Sequence, residues 1–143
     1  MQHNKNRNKN HNYEIVEKIS IEEAIEKFKN HESKRSFQRL RSLVAIIQRD
    51  GLFCAHCEEV KGAFFGLGKN NPKNKNVAPA FHWDLYAEDG HMLTIDHVLA
   101  KANGGKNNLE NLQLSCFICN TTKGCEDDEI AKEKIKSQKY NLG

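Results

Sequence analysis

Two Cys-x-x-Cys pairs, separated by a long insert, constrain the fold of this chain more than any other feature. The first pair is Cys54 with Cys57, and the second is Cys116 with Cys119. Each spacing places two thiolates on one tight turn, and two such turns can close a tetrahedral four-cysteine site of the kind that zinc occupies in structural centres. The sequence therefore predicts a structural Zn²⁺ that joins the two halves of a domain.

The remaining thiol and imidazole groups near these pairs leave alternatives open. A single Cys-x-x-Cys pair is also typical of redox-active proteins, but its repetition favours a metal. His56 lies between two of the cysteines and is an alternative ligand, although four cysteines already complete the shell. Cys125 is left over and is interpreted as a small, half-buried apolar residue.

Composition favours the metal interpretation over disulfides. The chain has 143 residues, of which 38% are hydrophobic, and a mean hydropathy of -0.76, so one domain with a modest core is expected. Domains of this kind often need a staple. The N-terminus lacks the apolar segment of a secretion signal, and no apolar run is long enough to cross a membrane. We therefore expect a cytoplasmic protein with reduced cysteines and no membrane partner.

Three regions are expected along the chain. Residues 1–13 form a basic, disordered arm that is either a solvated tail or a contact for phosphates. Residues 14–50 form an N-terminal helical segment, with helices predicted over 20–30 and 34–49. Residues 51–143 form the zinc-bound domain. The second helix has an apolar arc, with Ile46 lying outside it, and an opposite cationic face that includes Arg35 and Arg39. This face is either solvated or in contact with nucleic acid, which the net charge of +3 also suits.

The zinc-bound region is expected to alternate strands with turns. Residues 66–80 hold both prolines of the chain and predict a loop. Strands are predicted over 81–86 and 91–98, with Glu88-Asp89-Gly90 as the turn between them, and over 112–115. A helix is predicted to begin near Phe117, and another is predicted over 127–139.

Four polar residues lie close to the second cysteine pair and are not explained by zinc. Asp96 is a hard oxygen donor suited to Mg²⁺ or Mn²⁺, and His97 is the base best matched to neutral pH. Asn120 directly follows Cys119, so the zinc turn would hold it as a second oxygen ligand. Asn111 could hold the His97 ring in one tautomer. Each residue alone is typical of a strand end or a turn, but together they predict a phosphodiesterase site.

The motifs "DHV" at 96–98, "GGKNNLENLQLSC" at 104–116 and "CNTTKG" at 119–124 resemble those of HNH endonucleases of the ββα-metal superfamily. "RDGLFCAHC" at 49–57 is similar to the turn that opens the zinc-bearing members. The resemblance implies an α+β fold with a ββα-metal, treble-clef-like core, structural zinc and preceding N-terminal helices. It also implies His97 as general base, Asp96 and Asn120 as ligands of one Mg²⁺ or Mn²⁺, and Asn111 as the residue that orients His97.

Some positions depart from the family pattern. Asn120 stands at the third signature position, where the name-giving pattern has His, and Asn107 stands where many members have Asp. Lys123 lies one turn after Asn120 and is a candidate contact for the scissile phosphate.

The function predicted from these features is a metal-dependent DNA endonuclease. One HNH centre cuts one strand at a time, so cutting both strands requires a homodimer or a second event. One alternative is a non-catalytic zinc module that binds nucleic acid, and another is a treble-clef protein-interaction domain. The first alternative has no use for Asp96, His97 and Asn120 together, and the second predicts no affinity for nucleic acid.

Overall fold

A computed structural model describes residues 13–29, 38–100 and 103–123. Within these ranges the chain forms three α-helices and a five-stranded antiparallel sheet in which neighbours follow chain order. The strands are β1 (Tyr13–Ile19), β2 (Phe64–Asn70), β3 (Phe81–Tyr86), β4 (Met92–His97) and β5 (Leu112–Cys116). The helices are α1 (Ile21–Lys29), α2 (Gln38–Asp50) and α3 (Phe117–Lys123). The predicted α+β class is confirmed.

The two N-terminal helices have the ends that their sequences predict. At the start of α1 the Ser20 hydroxyl accepts a hydrogen bond from the backbone N–H of Glu23 at 3.1 Å, a contact worth about 1 kcal/mol in helix stability. At the end of α2, Gly51 has a φ of 89° and its N–H bonds the carbonyl of Ile47. A residue with a side chain would be strained there.

The outer half of the sheet differs from the prediction. Gly66 was expected to begin a loop, but β2 continues to Asn70 because it is hydrogen-bonded to β1 on one side and to β3 on the other. Gly66 and Gly68 have weak intrinsic strand preference, so pairing rather than propensity forms this strand. β1 was not predicted at all. Its sequence, YEIVEKI, alternates only imperfectly between apolar and polar residues, and it forms a strand by pairing with the edge of β2.

One hydrophobic core joins the helices to the sheet. Phe28 of α1 is fully buried and packs against Phe65 at 5.6 Å and Trp83 at 5.8 Å between ring centroids. Ile46 of α2 is fully buried, although the helical pattern placed it outside the apolar arc. The four paired cysteines belong to the same core cluster. The helices and the metal-binding turns therefore stabilise one another.

The last three elements form the predicted ββα unit. β4 and β5 pair antiparallel, with Asp96 opposite Gln113 and His97 opposite Leu112. α3 follows β5 without an intervening residue and packs against both strands. The turn before β4 is the predicted one, with Gly90 at a φ of 92°.

Several predictions lie outside the described residues. These are the arm at 1–12, the helical start at 34–37 with Arg35, the helix at 127–139, and Cys125. In the described part of the chain, no helix combines the length and apolar character needed to cross a membrane.

Candidate active site

Four cysteines meet between the two turns, as their spacing predicts. Cys54, Cys57, Cys116 and Cys119 are buried, and their Sγ atoms all lie within 4.8 Å of one another. Four buried thiols converging at this distance fit a tetrahedral zinc ion, which binds thiolate sulfur at about 2.3 Å. Hydrogen bonding with Cys116 and then Cys119 lowers the pKa of the Cys54 thiol to about 6. This shift favours the thiolate form, which zinc requires, at Cys54, whereas hydrogen bonding within the cluster and burial raise the pKa of Cys116 and Cys119.

Backbone hydrogen bonds hold the first turn against β5. The N–H of Ala55 bonds the carbonyl of Leu114 at 2.8 Å, and the N–H of Cys116 bonds the Cys54 sulfur at 3.3 Å. Glu58 closes the turn with a φ of 57°. The first cysteine pair is thereby fixed against the strand that leads into α3.

Asp96 is buried and its carboxylate is held by three side chains. Its Oδ2 accepts hydrogen bonds of 2.9 Å from His56 Nε2, Gln113 Nε2 and Lys123 Nζ. Burial raises the pKa of Asp96, but hydrogen bonding from His56, Lys123 and Gln113 outweighs burial and leaves the pKa below its usual value. The group is therefore ionised at neutral pH.

Lys123 lies at this carboxylate rather than on the surface. Its side chain is 1% exposed, and Nζ also donates to the carbonyl oxygen of His97. Lys123 therefore ties the end of α3 to the end of β4. Its contact with the scissile phosphate stays a prediction, and in the structure Nζ is engaged by Asp96 and by the His97 carbonyl.

The His97 ring is half-buried at the last residue of β4, and Asn107 is its hydrogen-bond partner. Nε2 of His97 lies 2.7 Å from Oδ1 of Asn107. An amide oxygen only accepts, so this contact puts the ring proton on Nε2 and leaves Nδ1 as the basic nitrogen. The tautomer is thus set by Asn107.

Asn111 bonds the loop instead of the ring. Its Oδ1 accepts from the N–H of Leu99 at 2.7 Å, and its Nδ2 donates to the carbonyls of Leu99 and Lys106. These bonds tie the two ends of the β4–β5 loop together. Asn111 therefore acts on the imidazole only indirectly, instead of through the expected contact. It holds the loop that carries Asn107, and Asn107 bonds the ring.

Of the other predicted site residues, Asn120 lies near Asp96 in the fold and Arg39 lies away from it. Asn120 is half-buried on α3, which packs on β4, the strand that carries Asp96. Arg39 lies elsewhere and donates to Asp84 at 2.9 Å and to the carbonyl of Trp83. Arg39, predicted to be either solvated or in contact with nucleic acid, is thus paired with a carboxylate of β3. Arg35 lies outside the described residues.

Three side chains of the site were missed by sequence reasoning. His56 was considered only as a zinc ligand, Gln113 was read as a strand residue, and Asn107 was noted only as a departure from the family pattern. A signal for Gln113 exists in hindsight, since alternation in a β4–β5 hairpin can place a polar residue opposite Asp96. His56 carried no such signal, because its contact crosses 40 residues of sequence.

The comparisons agree with this geometry. The HNH endonuclease family model matches residues 83–126, a range that begins within β3 and includes β4, β5 and α3. It contains Asp96, His97, Asn111, Asn120 and the second cysteine pair, while the first pair lies before it. This part of the chain therefore carries an HNH domain, and the resemblance drawn from the sequence is confirmed. No curated protein and no solved structure matches the chain. The match indicates a nuclease-type or nucleic-acid-acting function.

Proposed function

We propose that the chain is a metal-dependent endonuclease that hydrolyses phosphodiester bonds in DNA. The observation that carries this proposal is the His97 ring at the end of β4. Asn107 holds it in the Nε2-protonated form, next to the ionised Asp96, on an HNH-matched ββα unit. The four-cysteine zinc supports the unit and takes no part in the reaction.

Asp96 and Asn120 offer the donors for a catalytic cation. One carboxylate oxygen and one amide oxygen are hard ligands of the type that Mg²⁺ and Mn²⁺ prefer. The three side-chain hydrogen bonds of Asp96 end on Oδ2, so Oδ1 is the oxygen that can face the ion. When bound, such a cation neutralises charge on the phosphate and on the leaving oxygen.

His97 supplies the base. Nδ1 takes a proton from the attacking water. The resulting imidazolium still donates its Nε2–H to the amide oxygen of Asn107. Asn111 holds the loop that carries Asn107. Cleavage of both strands would require two engagements or a homodimer.

The test is nicking of a supercoiled plasmid by zinc-loaded protein with Mg²⁺ or Mn²⁺, with and without EDTA. His97→Ala should keep its zinc and its DNA binding and lose about a hundredfold or more in rate, the scale for losing a general base. His82→Ala, which replaces an exposed histidine of β3, is the matched control and should remain active. Wild-type cleavage by a His97→Ala preparation free of other nucleases would favour the alternative of a non-catalytic zinc module that binds nucleic acid.

A further inference from the structure

The hairpin of β2 and β3 ends in a basic loop, residues 71–80, which we call the hairpin tip. From Lys61 to Trp83 the sequence has four lysines and no Asp or Glu. Lys73 and Lys75 lie in the tip, where every residue except Pro72 is exposed. The N–H of Asn70 closes the loop on the carbonyl of Ala80 at 2.8 Å, and the N–H of Val77 bonds the carbonyl of Asn74. The two charges are therefore carried by a hydrogen-bonded loop.

Lys73 and Lys75 differ from three other cations of the chain, which form ion pairs within the protein. Arg39 pairs with Asp84, Arg49 with Asp50, and Lys123 with Asp96. Among the described residues, no ion pair joins Lys73 or Lys75 to a carboxylate. A cation that is not neutralised within the protein remains available for phosphate.

The tip lies at the same end of the sheet as His97. β3 starts at the tip and runs antiparallel to β4, with Leu85 opposite Leu93 and Tyr86 opposite Met92. β4 therefore runs back towards the tip and ends at His97. Neighbouring strands lie about 4.8 Å apart, so β2 and β4 are separated by roughly 10 Å where β3 pairs with both of them, at Leu85 and Tyr86. That distance is well within one turn of duplex DNA, about 34 Å.

We propose that the hairpin tip contacts the sugar-phosphate backbone of the duplex DNA whose scissile bond lies at His97. This inference rests on the proposed function. Lys73 and Lys75 supply the charge, and Val77 and Phe81, each 53% exposed, supply apolar surface beside them. Phosphate contacts of this kind position a duplex without reading its sequence.

The test compares two double variants in the zinc-loaded His97→Ala background, in which binding is measured without cleavage. Lys73→Gln/Lys75→Gln removes the tip charges. Lys18→Gln/Lys61→Gln removes the same charge from exposed lysines near the opposite end of β1 and β2. The tip variant should weaken duplex binding several-fold and reduce the slope of log affinity against log salt by about 1 to 2. The control should change both quantities less.

Equal effects of the two variants, or no duplex binding by the parent, would overturn the proposal. Its failure can be distinguished from failure of the proposed function. If the plasmid is nicked but the tip variant binds like the control, the tip contact is wrong. If the tip effect is present and the wild-type protein does not cleave, the nuclease proposal is wrong and the contact stands.

A second, independent observation concerns the hydrogen bonds on Asp96. The His56 ring lies in the turn between Cys54 and Cys57, its side chain is fully buried, and Nε2 reaches Asp96 Oδ2 at 2.9 Å. Gln113 donates to the same oxygen from the opposite position on β5. A carboxylate can otherwise rotate and exchange its two oxygens. Donors fixed by the zinc turn and by β5 prevent that exchange.

We infer that His56 and Gln113 are positioning residues that present Oδ1 of Asp96 to the divalent cation. This inference also rests on the proposed function. It links the zinc turn to the catalytic ligand through one side chain. The structural metal would therefore affect the geometry of the second metal site as well as the fold.

The test measures Mn²⁺ affinity of zinc-loaded protein by electron paramagnetic resonance, without DNA. His56→Leu should retain zinc and weaken Mn²⁺ binding by about tenfold or more, the scale for partners of metal ligands. His56→Gln places an amide N–H near the position of Nε2 and should recover most of the affinity. Gln113→Leu should act in the same direction as His56→Leu.

Wild-type Mn²⁺ affinity in His56→Leu would overturn this role. Equal losses in His56→Leu and His56→Gln, with zinc retained, would also overturn it, because packing rather than the hydrogen bond would then be responsible. Because the readout is binding, a wild-type protein that binds Mn²⁺ without cleaving DNA would contradict the proposed function only.

Discussion

Asp96 is the residue on which the site depends most, because it is at once a proposed metal ligand and half of a buried ion pair. Its partner Lys123 is 1% exposed and Asp96 is 5% exposed. Removing one member of such a pair leaves an uncompensated charge in the interior. A simple truncation of Asp96 therefore affects folding as well as metal binding.

Stability measurements should separate these effects. We expect Asp96→Ala to lower the free energy of unfolding by about 3–5 kcal/mol, the cost of breaking a buried pair by removing one partner. Asp96→Ala/Lys123→Met, which removes both charges, should recover part of the loss. Denaturant unfolding of the zinc-loaded proteins provides the measurement. Equal stability of the single and double variants would show that the pair is solvated.

A second prediction for single residues concerns the hydrogen bond between His97 and Asn107. Asn107→Ala should reduce cleavage about tenfold to a hundredfold, because the ring loses the acceptor that holds its proton on Nε2. Asn107→Asp keeps an acceptor there and should retain activity. Asn108→Ala is the control, since the Asn108 side chain makes no capping bond at the 3₁₀ turn Leu109–Asn111. Similar losses at 107 and 108 would contradict the assigned tautomer.

The loop between β4 and β5 carries Asn107, which bonds His97, so the shape of this loop decides the geometry of the site. Asn111 bonds both of its sides, and a Cβ atom on Gly105 would lie 1.7 Å from the carbonyl oxygen of Leu99. A backbone oxygen cannot move aside as a flexible side chain can. The close approach therefore requires glycine at 105.

Alanine at the two neighbouring glycines should have different effects. Gly105→Ala must displace the loop that carries Asn107, and we expect about a hundredfold loss of cleavage, the scale for a misplacement of about 1 Å. Gly104 has a φ of 94° with open space around its Cα, so Gly104→Ala should add strain with a smaller loss. Zinc content and plasmid nicking are the measurements. An active Gly105→Ala protein would mean that the loop does not position the base.

The whole molecule is held by one core to which the cysteine cluster belongs. The second cysteine pair lies at the junction of β5 and α3, and the first lies between α2 and β2. The zinc would therefore join the N-terminal half to the ββα unit. The proposed catalytic residues lie on that unit. Loss of zinc should therefore abolish activity by unfolding the unit rather than by changing the reaction itself.

The expected outcome is loss of metal and stability together. Wild-type protein should contain about one zinc per chain, and Cys116→Ser should lose the ion and unfold at lower denaturant concentration. Cys125→Ser, at the remaining cysteine, should retain the zinc. Metal analysis and denaturant unfolding with and without a chelator provide the test. A folded wild-type sample without zinc, or with a disulfide between these cysteines, would contradict the assignment.

Local features of the sequence were sufficient for much of the fold. The cap at Ser20, the stop at Gly51, the turn at Gly90 and the helix start at Phe117 depend on neighbours a few residues away, and each was predicted. The strands β1 and β2 were not predicted, because their stability comes from pairing with strands distant in sequence.

The same distinction holds for the site. Spacing by itself determined that each Cys-x-x-Cys pair presents two thiols on one turn, because such a turn is local, and the sequence predicted Asp96, His97, Asn111 and Asn120 as one constellation. Only the tertiary structure decided what each of them touches. His56 meets Asp96 across 40 residues, Lys123 turns inward to the same carboxylate, and Arg39 is paired with Asp84. Side-chain partners of this kind are set by packing between distant segments, because a buried charge must find a counter-charge wherever the fold supplies one.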